Sequence, residues 1–105
     1  MGALDGKVTI VTGASSGIGR ATALGLARAG ATIVGAGRRQ DRLDRLVVEI
    51  VKAGGKARGV VCDIRLEADM VNLVNTTLAE YGRLDIMVNN AGVAYSLLPI
   101  MEGTT

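Results

Sequence analysis

Three glycines and two serines stand together near the start of the chain, in Thr12-Gly13-Ala14-Ser15-Ser16-Gly17-Ile18-Gly19. They follow an apolar run, Lys7-Val8-Thr9-Ile10-Val11, and open a helical pattern that continues through Leu24 and Ala27. Strand, glycine turn and helix in that order make a phosphate cradle. The first amides of a helix have no intrahelical acceptor and carry its positive end, so an anion completes them. Gly13 lets the chain leave the strand in a tight turn. Gly17 removes a Cβ where a diphosphate approaches backbone, Ile18 lies between the glycines, and Gly19 permits close packing of the helix. The spacing Gly-x3-Gly-x-Gly is looser than Gly-x-Gly-x-x-Gly and leaves room for Ser15 and Ser16. Their hydroxyls either contact a ribose or its phosphate, or cap the helix that follows.

Composition bounds what can position these groups. At 105 residues, 49% hydrophobic and 21% charged, the chain reads as one globular domain. With no Phe, no Trp and two Tyr, its core must be built from Val, Ile, Leu and Ala, which suits buried parallel strands. The net charge of +2 is uneven: residues 1–58 carry ten of the twelve cations and only four of the ten acids. No aromatic residues interleave with those cations, which argues against a nucleic-acid platform. A single cysteine, Cys62, excludes an internal disulfide, and without histidine a zinc site is disfavoured. Cys62 reads as a small buried residue, since nothing cationic beside it would lower its pKa. The absence of a signal-peptide pattern and of a membrane-length apolar stretch leads to the expectation of a soluble, cytoplasmic protein with no membrane partner.

The elements alternate. Gly30 ends the first helix, and 31–36 reads as a second strand. Leu43, Leu46, Val47, Ile50 and Val51 recur at helical spacing with Asp41 and Asp44 expected in the first turn, and Gly54-Gly55 stops that helix. A third strand is expected over 57–62, then a helix marked by Met70, Leu73, Val74, Thr77, Leu78 and Tyr81 and ended by Gly82, then a fourth strand over 84–88. Helices between strands imply right-handed crossovers, hence a doubly wound α/β fold: a parallel sheet with helices on both faces. Residues 93–105 carry too little pattern to assign.

The glycine motif, Asp63, and Asn89-Asn90-Ala91-Gly92 together resemble the classical short-chain dehydrogenases/reductases. The resemblance covers roughly residues 5–102, the first part of that family's usual length. It implies a Rossmann-type sheet of about four strands in the order 3-2-1-4, with a dinucleotide across the carboxyl ends of the strands near the switch point. The chain would then supply most of the adenosine side of the pocket. The resemblance places Gly37 where an NAD-selective relative carries an Asp for the ribose 2′-hydroxyl, while Arg38 and Arg39 offer donors to a 2′-phosphate; NADP(H) is therefore expected over NAD(H). It also implies that Asp63 accepts from the adenine amino group while Ile64 packs on the ring. Ala91 and Gly92 would allow close ribose approach, and Asn89 would tie the glycine loop to the sheet. Read without the resemblance, Asp63 is a turn or capping acid.

The family's chemistry moves hydride between a nicotinamide and a carbonyl or alcohol carbon. It uses a Tyr proton donor with a Lys four residues on, a substrate-orienting Ser and a relay Asn. Here Tyr81 is followed at that spacing by Asp85 and Tyr95 by Pro99, so neither inherits the role and no catalytic residue is assigned. Three readings follow: a single truncated binding domain without turnover, a component of an oxidoreductase completed by another polypeptide, or a folded, self-associating remnant. An apolar fourth-strand edge, with Val93, Leu97, Leu98, Ile100 and Met101 beyond it, leads to the expectation of a homodimer formed by edge pairing or by exchange of the 93–105 tail.

Overall fold

A computed structural model of the chain describes residues 2–89. Its elements run β1 (Val8–Thr12), α1 (Gly17–Arg28), β2 (Thr32–Gly37), α2 (Gln40–Lys52), β3 (Ala57–Val61), α3 (Glu67–Tyr81) and β4 (Ile86–Asn89). The strands form one sheet in the order β3-β2-β1-β4, and every pairing is parallel. The doubly wound α/β architecture is therefore as expected.

Side-chain alternation divides the core between the two faces. Val11, Ile33 and the close-packed Gly35 face α1 and α2, where Ala23, Leu43, Leu46 and Ile50 complete one cluster. Val8, Ile10, Val34, Ala36 and Val60 face the other way, toward Leu73 and Cys62, with Met70, Val74 and Tyr81 of α3 packed beside them. Both clusters are built mainly of aliphatic side chains, as the composition requires. Burial raises the Tyr81 phenol and the Cys62 thiol above their usual pKa values, and neighbouring acids push each further in the same direction. Both residues are packing groups, as their positions in the sequence indicate.

The boundaries shift slightly from the periodicity. β2 starts one residue later and includes Gly37, and β3 ends at Val61. β4 starts two residues later, because Asp85 turns back: its carboxylate accepts from the Val8 amide at 2.8 Å and from Arg83, so 84–85 serve as a join. Helix α1 ends at Arg28, and Gly30 follows in the left-handed region with φ +101°. Asp41 lies in the first turn of α2, but Asp44 falls beyond it and accepts from Gln40 Nε2 at 2.7 Å. Among the described strands β4 is the outer one on its side, and Ile86, Met87 and Val88 are half-buried rather than fully exposed. Tyr95 and the 93–105 tail lie outside the described residues. Among the described residues no helix is long and apolar enough to cross a membrane.

Candidate functional site

Because all four strands are parallel, their carboxyl ends share one edge of the sheet. Along it stand, in spatial order, Asp63 after β3, Arg38 after β2, the Gly13 turn after β1, and Asn89 ending β4. Adjacent strands lie about 4.8 Å apart, so these groups spread over roughly 14 Å. The chain proceeds from β1 to one side and returns to β4 on the other, which makes the β1/β4 junction the switch point where α/β sheets open a crevice.

Gly13 sits at φ +65°, the left-handed conformation a tight turn out of a strand requires. The Ala14 amide then reaches the Ala36 carbonyl at 3.0 Å, which carries the ladder two residues past β1. A Cβ on Gly19 would lie 1.9 Å from the Gly13 carbonyl oxygen, so Gly19 is demanded by the turn's own backbone rather than by the sheet. Gly17 differs. Nothing lies within 4 Å of where its Cβ would be, and the residue is exposed. The fold itself therefore has no steric need for glycine at 17.

Ser16 is the N-cap residue of α1 in extended conformation, yet its side chain accepts no hydrogen bond from the helix amides. Its hydroxyl donates instead to the Gly13 carbonyl, at 3.4 Å. The capping role is not realised, and the helix start remains open toward solvent beside the exposed Ile18. Ser15 is half-buried and stands over Gly37, with its Oγ 2.8 Å from the position a Gly37 Cβ would take.

At the end of β2, Arg38 and Arg39 are both exposed but are not equivalent. Arg39 is the N-cap of α2 and pairs with Asp41 at 3.5 Å, an acid favourably placed in the first turn. Arg38 forms no ion pair among the described residues.

Asp63 is the most elaborately held group. Its Oδ1 accepts from the Arg65 amide at 3.0 Å and from Arg65 Nε at 3.0 Å, while Oδ2 accepts from the Arg65 guanidinium at 2.8 Å. Its own amide donates to Asp69 Oδ2 at 2.9 Å. The hydrogen bonds from Arg65 hold the Asp63 carboxyl down at about 2, and Arg38 adds a smaller pull in the same direction. The turn-acid reading is thus realised. Three donors leave one of the carboxylate's four acceptor positions, on Oδ2, for a further partner. Ile64 is half-buried and packs against the α3-side core, which turns at least part of its side chain away from the edge.

Asn89 faces Thr12 across the β1/β4 pairing, and its Oδ1 accepts from Thr12 Oγ1 at 2.8 Å. The Thr12 hydroxyl also approaches the Val88 carbonyl at 3.4 Å. This bond joins the last residue of β1 to the last of β4, side chain to side chain, just before the glycine turn rather than within it. Ala91 and Gly92 lie outside the described residues.

The edge also holds cations that sequence reasoning passed over. Arg20, Arg42 and Arg45 join Ser15, Ser16 and Gly17 around a cavity of about 400 Å³ between the starts of α1 and α2. Arg42 and Arg45 are three apart on one helix, a spacing that puts both on one face; this was the available signal.

A glycine-turn cradle on a 3-2-1-4 parallel sheet defines a Rossmann-type dinucleotide-binding class, and comparison with known proteins makes the assignment specific. The model of the short chain dehydrogenase family matches residues 7–104, and the chain belongs to that family. It is 50% identical over 90 residues to tropinone reductase-like 1 of Erythroxylum coca, covering 86% of this chain and 32% of that protein. Identity to the 7alpha-hydroxysteroid dehydrogenase of Escherichia coli K12 is 42%, over 85% of this chain and 35% of that protein. Among solved structures, a hydroxysteroid dehydrogenase from Escherichia coli superposes with a TM-score of 0.82 at 42% identity, covering 85% of this chain and 36% of that one. A metagenomic short-chain oxidoreductase in complex with NADP superposes with a TM-score of 0.81 at 43% identity, covering 86% and 41%. The chain spans about a third of the length of the curated relatives cited.

Proposed function

We propose that the chain is the adenosine-side, NADP(H)-binding part of a short-chain dehydrogenase/reductase and does not by itself complete the catalytic site. The observation that carries this reading is the open start of α1. Its amides receive no side-chain cap, Gly17 leaves room above them, and Arg38, which forms no ion pair among the described residues, follows directly on Gly37. These groups fit a dinucleotide: the helix start would hold the diphosphate, Ser15 would lie beside the ribose, and Arg38 would pair with a 2′-phosphate. The one remaining acceptor on Asp63 Oδ2 suits one N–H of an adenine amino group. When bound, the nicotinamide accepts or donates hydride. Neither tyrosine in the 105 residues has a lysine four positions on, and in this reading the groups on the carboxyl edge bind and orient the cofactor.

Parallel calorimetric titrations with NADP and NAD test the reading. Saturable NADP binding that exceeds NAD binding and falls on Arg38→Asp supports it; equal affinity for the two, unchanged in the variant, overturns the cofactor preference. The half-buried apolar strand at the sheet's β4 side favours one addition, that a second polypeptide pairs there, either another copy or one bearing the family's Tyr and Lys. A single monomeric species in sedimentation, together with no turnover on mixing with such a chain, would remove it.

A further inference from the structure

The carboxylate at the β3 end of the carboxyl edge takes its orientation from one neighbour. Between β3 and α3 the chain turns, with the Leu66 amide donating to the Asp63 carbonyl at 2.9 Å and the Asp63 amide donating to Asp69 Oδ2 at 2.9 Å. That turn brings residue 65 back over residue 63. The Arg65 amide donates to Asp63 Oδ1 at 3.0 Å, a bond any residue except proline would supply. The Arg65 side chain adds two more, from Nε to Oδ1 at 3.0 Å and from Nη2 to Oδ2 at 2.8 Å. In this bidentate arrangement a guanidinium fixes the plane of a carboxylate as well as meeting its charge. The Arg65 side chain is 72% exposed, and so exposed a pair adds little to stability. What the pair fixes is direction. Both acceptor positions of Oδ1 and one of Oδ2 are filled, so the carboxylate is not free to turn and offers one position to an outside donor.

We infer that Arg65 is a positioning residue that sets base selectivity: by filling acceptor positions of Asp63 it makes the β3 end accept a 6-amino purine and refuse a 6-oxo purine. The inference rests on the nucleotide reading above, in which Asp63 meets the adenine amino group. An amino group brings an N–H to the one open position. A 6-oxo purine brings a carbonyl oxygen there, with no donor to set between it and the carboxylate, and carries its proton on the neighbouring N1 instead. A carboxylate free to turn would follow that proton and accept either base. One held in the plane of a guanidinium does not, so the wrong base is left facing an unpaired charge, which is how a site rejects a close analogue. Arg65 acts through Asp63 and needs no contact of its own with the nucleotide.

The test is calorimetric titration of the whole chain with NADP and with nicotinamide hypoxanthine dinucleotide phosphate, which differs from it only in the purine. Wild type, Arg65→Ala and Arg65→Lys are compared, and thermal melts check that each variant folds. Wild type should bind NADP more tightly than the hypoxanthine dinucleotide by about tenfold, the worth of one hydrogen bond to a charged group. Arg65→Ala leaves Asp63 only the backbone donor of residue 65 and should bring the two bases close to parity. Arg65→Lys returns one side-chain donor and should restore part of the preference. A merely structural role would weaken both dinucleotides alike and keep their ratio at the wild-type value. That result in Arg65→Ala, or in Arg65→Gln should the alanine variant not fold, overturns the inference. Binding of NADP to wild type with no preference between the bases also overturns it, while the nucleotide reading stands. Binding of neither dinucleotide to wild type overturns both.

Discussion

The two ends of the carboxyl edge differ in how far the chain has already satisfied its own polar groups. At the glycine turn, Ser16 leaves the α1 amides uncapped and Gly17 has open space above it, and beside it Arg38 forms no ion pair among the described residues. At the β3 end, Asp63 is fixed by three donors from Arg65, and its amide is taken by Asp69. One end waits for partners and the other has been assembled beforehand. If the glycine turn is the proposed phosphate cradle, it must exchange solvent for phosphate, and its donors are left to water. In the proposed nucleotide reading, a single carboxylate that is to accept from one amino group gains from a fixed orientation with one acceptor spare.

The largest effect expected from breaking this contrast lies within the glycine turn itself. Gly19→Ala drives a methyl group into the Gly13 carbonyl, where backbone has to move, and should cost about 3 kcal/mol of stability. Gly17→Ala meets no protein atom and adds a better helix former at the first position of α1, so the melting temperature should hold or rise. Its nucleotide affinity should nevertheless fall by about tenfold, as when a hydrogen bond to a charged group is lost. Denaturant melts and calorimetry on both variants separate a glycine kept for the fold from one kept for a ligand. If Gly17→Ala binds NADP as wild type does, the open end is open for no reason connected with phosphate.

A smaller effect is expected at the assembled end. Asp63 is depressed to about 2 from an unfolded value of 3.8, so its pairing stabilises the native state above that unfolded value. The contribution is lost as pH falls through the window from about 4 down to about 2, where the native carboxylate is finally protonated. Arg65→Ala should therefore lower the melting temperature relative to wild type at pH 6, and the two proteins should converge near pH 2. A difference that stays constant across the range would mean that Arg65 acts through packing and not through the Asp63 charge.

How much of this was legible beforehand follows from the reach of each interaction. The strand, glycine turn and helix at 8–28 are local features read by period and spacing, and they appear as expected. The 3-2-1-4 order came with the family resemblance. The different fates of Arg38 and Arg39 depend on which of them becomes the α2 N-cap, a matter of one residue in a helix boundary. The Asp63–Arg65 clamp depends on the turn after β3, and the Thr12–Asn89 bond on strand register across 77 positions. Arg42 and Arg45 were passed over because charges on an amphipathic helix read as its solvated face; only the approach of α1 turns that face into a cavity wall.

The comparison would fail if every unpaired polar group were taken as a sign of a ligand, and Thr9 marks that limit. Its Oγ1 is fully buried in the middle of β1 and finds no partner among the described residues, yet Thr9 pairs with Ile33 on one side and Ile86 on the other, below the edge where a ligand could enter. A hydroxyl in that position is an unreturned desolvation cost. Thr9→Val keeps the shape and removes the oxygen, so it should stabilise the chain by about 1 kcal/mol, a rise of roughly 4 °C in Tm. NADP affinity should not change. Openness at the glycine turn can be attributed to a ligand only because it is accessible, cationic and placed at the switch point; the same vacancy at Thr9, with none of these attributes, should respond in stability alone.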